Sequence, residues 1–542
     1  MAILNKVEIS QAPWKQRKFD LSCDTLATHS FMEGVPVYYR HMIPNQRISV
    51  NASQFTRLQP MSVPTYGRAR LNLRAFFCPF EFVQPAFNEF ITNSIYVKHN
   101  SISQAATIPT MVHYITNGAL TSAFLSLTIP TPAGGTPDVT YSGLAGGADR
   151  TFTVYGRRYL KIMYSLGYRW NWDLKGSVSF SMLPLLSLLR IYLDWYALSS
   201  YYDTVTYSNL SAFMKLEGSH SFSDAELLSV LSLIGNVNYD GDYFTAAWDN
   251  PVGPNSTTFT QFTIPDPTVS SGSVATHSNG TPYVNSSALT EFQSQAVHAL
   301  TDYYKRHQLV GARVVDRFLA DFGVQLDSSK LRRSTYIGSK SFDIQIGDVT
   351  QTVNTASAGS PSNLGDFGGR GMSNGTANFD YTAESHGIFI IVASLLPSGG
   401  YYQGYDRNLR HIEPTDFYNA DFDNLGVQAI EKGEVYTSNN NSFYANVNPT
   451  ASFGYTPRYA EYKVPYSRVI GDFVVPSVMV GGDSWHLMRE FNDRSFSHDA
   501  SNVHHSVSFC RGDDGHSYDR IFNYSDQDDP VDPFYSVYHL RQ

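Results

Sequence analysis

Charge is scarce in this sequence. Asp, Glu, Lys and Arg make up 16% of its 542 residues, against about a quarter in ordinary soluble domains. That excludes a charged, disordered chain and sets it apart from a typical highly charged cytosolic enzyme. Cysteine is scarcer still. Cys23, Cys78 and Cys510 form an odd set without metal-ligand spacing, so they read as free, buried thiols. No run of about 18 apolar residues is available to span a bilayer. The nearest candidate, SFSMLPLLSLLRIYLDWY, is broken by Pro184, Arg190 and Asp194. The opening MAILNKVEIS lacks the sustained apolar core of a secretion signal, so synthesis and folding are expected in a reducing cytoplasm, without membrane insertion. P-loop, Rossmann, G-x-S-x-G and H-E-x-x-H signatures are all missing. Neither catalysis nor a cofactor is expected.

What the chain has in quantity is aromatic rings: 14% of residues, with 36 Tyr and 34 Phe. Together with frequent Asn, Ser, Thr, Gly and Pro they predict a mainly β protein of short strands joined by long ordered loops. Large amphipathic rings also suit extensive contacts between subunits. The net charge of −9 is unevenly spread. Residues 1–80 hold ten Lys and Arg against four Asp and Glu, and residues 483–542 hold five against eleven. Such an asymmetry can orient a molecule or complement a neighbour.

Strand periodicity is clearest in RARLNLRAFFCPFEFVQPAFNEFIT, residues 68–92. Leu71, Leu73, Ala75 and Phe77 fall on one face, and Arg68, Arg70, Asn72 and Arg74 on the other. Pro79 then ends the ladder, and Phe87, Phe90 and Ile91 take helical spacing. Three further strands are predicted upstream, in FDLSCDTL, VPVYYRHMI and QRISVNASQFTRL, with turns at Gly34 and Pro44-Asn45. Residues 97–152 and 249–287 read as two long loop insertions, the second a candidate surface protrusion. A helical stripe of Leu185, Leu188, Leu189, Tyr192 and Tyr196 lies between them. The longest predicted helix covers about 287–323, with a break near Gly311 and an end at Gly323. No repeat of 20 to 50 residues stands out.

Arg68, Arg70 and Arg74 recur along one strand face, where they could meet phosphates or the carboxylates of an adjacent subunit. Trp14, Lys15, Arg17 and Lys18 form a basic segment with an aromatic neighbour. That mixture suits a single nucleic-acid strand, because bases stack while phosphates are neutralised. His498, His504, His505 and His516 cluster near Cys510, Asp513 and Asp514, but their spacing fits no closed tetrahedral zinc site. Asp526, Asp528, Asp529 and Asp532 are the calcium candidate, although the stretch lacks an EF-hand's glycine and terminal glutamate. No metal is therefore assigned. Arg511-Gly512-Asp513 is a three-residue match of the kind chance supplies.

Several stretches in order resemble one family. They are YGRARLNLRAFFCPFEFVQPAFNEFIT, GDYFTAAWDNP, HQLVGARVVDRFLADFGVQLDSSKLRRSTYIGS, HGIFIIVASLLPSGGYYQGYDRNLRHIEPTDFYNADFDNLGVQAIEKGEVY and YTPRYAEYKVPYSRVIGDF, with DSWHLMREF after it. Together they are similar to the major capsid proteins of the Microviridae, small icosahedral single-stranded DNA phages, and especially to the gokushovirus-like branch. Arg-Tyr-Ala-Glu-Tyr and Trp-His-Leu are the most specific pieces.

The resemblance implies a single eight-stranded antiparallel jelly roll of viral capsid type, with large loop insertions and a few helices. It further implies pentamers and a sixty-copy T=1 shell around circular single-stranded DNA, made in a bacterial cytoplasm and residing in the virion. A small basic DNA-binding protein, minor, pilot or scaffolding proteins and a host surface receptor are the implied partners. The competing reading, a β-rich carbohydrate-binding protein or glycoside hydrolase, draws on the abundant tyrosines and long loops.

Overall fold

The computed structural model builds the chain around eight strands: β1 (Cys23–His29), β2 (Gly34–Met42), β3 (Arg47–Leu58), β4 (Ala69–Pro79), β5 (Thr335–Thr350), β6 (Phe367–Thr382), β7 (Gly387–Pro397) and β8 (Phe534–Arg541). The structure describes residues 18–58, 65–92, 109–131, 148–169, 178–196, 218–234, 333–350, 367–398, 400–423, 427–435, 449–474 and 534–541, with shorter pieces between them. The strand order is β1-β8-β3-β6-β5-β4-β7-β2, and every neighbouring pair is antiparallel. β1 pairs with β8, β2 with β7, β3 with β6 and β4 with β5, the pattern of one long hairpin rolled upon itself. The β8–β3 and β4–β7 pairings sew the roll into two sheets, β1-β8-β3-β6 and β2-β7-β4-β5. β5 joins them, pairing with β4 as far as Ile344 and with β6 from Gln345 onward. This is the jelly roll that the resemblance implied.

Sequence pattern distinguishes the sheets. β3, RISVNASQFTRL, alternates strictly at its start, with Ile48, Val50 and Ala52 buried and Ser49 and Asn51 exposed. One of its faces meets water. β7, GIFIIVASLLP, is buried at every position, as an unbroken apolar strand must be when both faces are covered. β4 shares that environment. Its Leu71, Leu73, Ala75 and Phe77 point into the roll, where Phe77 meets Tyr381 of the opposite sheet with ring centroids 4.8 Å apart. On its other face Phe76 packs against Trp195 and Tyr196 at 6.2 and 5.8 Å. Each fully buried Leu or Phe contributes roughly 1.5–3 kcal/mol.

The outer cover comes from the insertion between β4 and β5. Its helices are α1 (Phe87–Thr92), α2 (Asn117–Ser126), α3 (Val154–Ser165), α4 (Leu183–Ile191) and α5 (Asp224–Leu233). The aromatic turn after β4 anchors α1, with Phe80, Phe87 and Phe90 in successive ring contacts at 5.0 and 6.1 Å. α4 carries Pro184 in its first turn, where the missing N–H costs nothing. It is buried at every position except Arg190 and runs into a π-helical turn, Tyr192–Tyr196. Thr153 caps α3, and Ser223 with Glu226 forms a capping box on α5.

The stretch 97–152, read as a surface loop, carries more than that. α2 lies within it and places Leu120, Ala123 and Phe124 in the main core, and Phe152 joins them. Its glycines and prolines mask these few large residues in a composition-based reading. Of 249–287, only the short hairpin Val274–Thr276 with Pro282–Val284 is described. In the predicted helix 287–323, residues 295, 298, 299, 302, 318, 319 and 322 are helical. Gly323, at φ 65°, donates to the Leu319 carbonyl and ends that helix where expected.

A second lobe grows from the insertion between β7 and β8. Its hairpin pairs Val427–Glu431 with Ser452–Pro457, and a separate core gathers Phe244, Tyr401, Ile430, Val435 and Phe453. Among the described residues, no helix is long and apolar enough to cross a membrane.

Candidate nucleic-acid interface

The predicted arginine row does not act as a unit. Arg68 is exposed just before β4, and its carbonyl accepts the Ser398 N–H at 2.7 Å. Arg70 is half-buried, opposite Asp343 of β5 in the strand register. Arg74 is directed inward, its guanidinium 5.4 Å from the Tyr196 ring beneath the helical cover. Tyr196 is buried, and burial pushes its phenol up to about 12 although Arg74 opposes the shift. A guanidinium stacked under α4 is not free to meet a nucleic acid, so for Arg74 the structure corrects the expected outward role. A two-residue period identifies a face; it cannot show that helices from a distant insertion will cover it. Lys18 is exposed at the edge of the fold. Trp14, Lys15 and Arg17 lie outside the described residues, as do Cys510, the four clustered histidines, Arg511-Gly512-Asp513 and the calcium candidates Asp526, Asp528, Asp529 and Asp532. Among the described residues, no three His, Cys, Asp or Glu side chains are grouped to hold a metal ion.

The sheet that no helix covers among the described residues presents a different set of side chains. Along β3, Asn51, Ser53, Phe55 and Arg57 share its outer face. The register sets Tyr535 of β8 and Met372 of β6 on either side of Arg57, and Val537 and Asn374 on either side of Phe55. The Arg57 guanidinium lies 5.0 Å from the Phe55 ring. Two carboxylates on this face are already engaged, Asp24 with His539 at 2.6 Å and Asp380 with Arg47 at 3.8 Å. Arg57, Arg370 and Arg541 are exposed, and none pairs with a carboxylate among the described residues. The strand pattern of QRISVNASQFTRL held a signal for this face, because its alternation aligns Asn51, Phe55 and Arg57.

β1 and β2 end the strand order, so each keeps one edge unpaired among the described residues. Where these edges meet α3, a cleft of about 1420 Å³ opens, and Phe55, Arg57 and Tyr535 line it too. It adds Arg40 and Arg169, the latter 4.9 Å from the Tyr164 ring. Lys161, also in the cleft, is paired with buried Glu33. Nothing in sequence spacing brings residues 40, 57 and 169 together; only the closing of the roll does.

The most specific motif, Arg-Tyr-Ala-Glu-Tyr, organises the second lobe. Tyr459 takes a left-handed backbone at φ 61°, uncommon outside glycine, and its hydroxyl donates to the Thr415 carbonyl at 3.1 Å. Glu461 receives His411 at 3.3 Å, and Tyr462 stacks on the His411 ring. Arg458 lies over Phe422 and Tyr459. These are scaffold contacts, with no nucleophile–base pair among them.

Family comparison decides between a catalytic and a structural reading. The model of the family described as capsid protein (F protein) matches residues 7–132 and 260–542. The chain belongs to this capsid family. It is 22% identical over 514 residues to capsid protein VP1 of Bdellovibrio phage phiMH2K, covering 88% of this chain and 85% of that one. It is 28% identical over 214 residues to capsid protein VP1 of Chlamydia phage 1, covering 38% of this chain and 34% of that relative. The match to the Chlamydia phage protein therefore spans about a third of that protein's length. Both relatives are Microviridae capsid proteins, as the ordered motifs indicated. A capsid protein is a structural component of the virion, and the enzymatic alternative falls away.

Proposed function

We propose that the chain is the repeating subunit of an icosahedral shell, sixty copies in T=1 arrangement, enclosing a circular single-stranded DNA genome. The observation that carries this reading is the jelly roll of a capsid-family member with one sheet covered by its own helices and the other, among the described residues, without helical cover. A β face with exposed arginines is suited to the inside of a shell or to a contact within it.

Net charge constrains how the genome is held. At −9 per chain, the shell does not neutralise thousands of phosphates by itself. Local aromatic and arginine contacts would position the strand, and polyamines or a small basic protein would supply bulk neutralisation. Trp14, Lys15, Arg17, Lys18 and Arg68 are the predicted residues that fit such contacts. Loop 249–287 is assigned a role at the host surface, in keeping with function carried by long loops on a rigid scaffold. Minor or scaffolding proteins would assist assembly.

Deleting 249–287 tests the loop assignment. Particles that assemble but no longer adsorb to host cells support it, and failed assembly makes the loop a structural element. Particles washed free of DNA that carry a strongly positive overall charge would overturn the neutralisation argument.

A further inference from the structure

The second lobe carries a strap patterned inside out. Residues 406–423 hold two 3₁₀ turns, Arg407–Arg410 and Ala420–Phe422, and neither contains a buried residue. The strap turns polar groups inward. The His411 and Glu461 side chains are each 6% exposed and meet at 3.3 Å. Asp416 accepts the N–H groups of Ile412 and Glu413 at 3.0 and 2.9 Å. The Thr415 carbonyl accepts from the Tyr459 hydroxyl and the Arg458 guanidinium at 3.1 and 3.3 Å. Apolar groups point out: Leu409 is 75% exposed, Ile412 74%, Phe417 53% and Tyr418 50%. Tyr462, 49% exposed and stacked on the His411 ring, continues the patch to Tyr418 at 5.9 Å. A buried ionisable pair and a contiguous exposed apolar patch are each uncommon on a monomer's surface. Here one hydrogen-bonded frame fixes both, and the outer face calls for a partner.

We propose that this strap is a head-to-tail contact between copies of the chain, its apolar patch seated against a basic surface of the next copy. The assignment rests on the shell reading above and names a surface that builds the shell. Number, size and charge together select a second copy. Every copy carries the patch, so its cover must come in equal number, which an assembly of many such subunits supplies. At roughly 150–200 Å² for each large side chain, the exposed parts of Leu409, Ile412, Phe417, Tyr418 and Tyr462 amount to roughly 500 Å². That is near the upper end for the largest patch on a monomer, about 300–600 Å², and more than half of one side of a standard interface, about 800 Å². Residues 408–423 hold Arg410 against Glu413, Asp416, Asp421 and Asp423, whereas residues 1–80 hold ten Lys and Arg against four Asp and Glu. Two straps facing each other across a two-fold axis would set like charges together. A strap against the basic part of the next chain would not, and such a contact repeats around a ring. The rings and aliphatic chains then act as the desolvated anchors of the contact.

The test uses the full-length protein, free and assembled with its partner proteins. Leu409→Gln and Ile412→Gln, combined in one chain, should raise the concentration needed for assembly about tenfold or more, read by light scattering. The unfolding midpoint should stay at the wild-type value, because both side chains stand largely outside the lobe's own packing. If the double variant does not fold, iodination of the wild type decides. Tyr418 and Tyr462 should react readily in the free chain and be protected in the assembled one. Ile412→p-benzoylphenylalanine, irradiated after assembly, should give a product of twice the chain mass, joining position 412 to a peptide outside the strap of a second copy.

Assembly of the folded double variant at the wild-type concentration, or equal iodination of Tyr418 and Tyr462 in free and assembled protein, overturns this assignment and leaves the shell reading standing. A wild-type protein that stays a single chain with its partner proteins present overturns both. A cross-link from position 412 to a different protein gives the patch to that occupant and removes the contact between copies. A cross-link from strap to strap overturns the head-to-tail arrangement.

Discussion

Asp194 accepts two hydrogen bonds from Ser334, one from the backbone N–H and one from the hydroxyl, each at 2.8 Å. The two residues are 140 positions apart. Asp194 sits in the π-helical turn after α4, and Ser334 immediately precedes β5. Their contact fastens the long insertion back to the roll at the point where the chain re-enters it. Trp195 donates to the Ser334 carbonyl at 3.0 Å, and Arg190 bonds Asp194 at 3.0 Å. Arg333 lies 3.7 Å from the Trp195 ring. Replacing Asp194 by Ala removes the acceptor of a fully buried N–H and one partner of the Arg190 guanidinium. The expected cost is about 3 kcal/mol, measured as a shift of the chemical unfolding midpoint. Little change would mean the insertion is fastened elsewhere.

Acid should weaken the roll through His29. The ring is fully buried at the end of β1, its Nε2 2.8 Å from the Tyr538 hydroxyl. Burial, with a smaller contribution from Lys161, pulls its pKa from 6.5 down to about 4. The unfolded chain thus binds this proton below pH 6.5, while the folded chain refuses it until about pH 4. Stability from this group is complete above pH 6.5 and falls by about 3 kcal/mol as pH drops between those values. Unfolding curves at pH 7.5 and pH 5 should differ more for the wild type than for His29→Gln, which keeps an acceptor but cannot titrate. Equal differences would place the acid sensitivity in other groups.

The second lobe depends on a buried ion pair. Glu434, nearly inaccessible, binds Arg407 at 2.9 Å and accepts from the Tyr243 hydroxyl at 3.1 Å. Burial raises the Glu434 carboxyl although Arg407 opposes it. Arg407→Ala strands that charge, at an expected cost of about 3–5 kcal/mol. Because this lobe has its own core, the loss should appear as faster hydrogen exchange within 401–466, leaving the strands of the roll protected. Uniform loss of protection would show that lobe and roll unfold together. Gly404→Ala should damage the same region, because a Cβ there would come within 1.9 Å of the Glu434 carbonyl oxygen.

Thiol chemistry should divide Cys23 from Cys78. Cys23 is exposed near the open edge of β1. Cys78 lies in the core of β4, and burial pushes its pKa up to about 12. A thiol-specific reagent followed by mass mapping should label Cys23 in the native protein, and Cys78 only after denaturation. Native labelling of Cys78 would mean that the helical cover over β4 opens readily.

Much of the roll is legible in sequence because its strands carry their environment in their pattern. FDLSCDTL, VPVYYRHMI and QRISVNASQFTRL mark β1 to β3, and the Leu71 to Phe77 face proves to be core. What strand pattern does not convey is what covers a face. Arg74 looks available in sequence and sits beneath Tyr196, brought there from more than a hundred residues away. The grouping of Arg40, Arg57 and Arg169 arises only when the roll closes. Phe55 and Arg57 are readable as one face, but the bareness of that face is not, because it depends on which sheet the helical insertion covers.

The most direct measurement is electron microscopy of the purified full-length protein, with particle mass from light scattering. Closed, uniform icosahedral shells, or pentamers that close into them once partner proteins are added, are the predicted result. Open sheets, filaments or an unassembled chain in the presence of those partners would contradict the reading of this chain as the shell's repeating subunit.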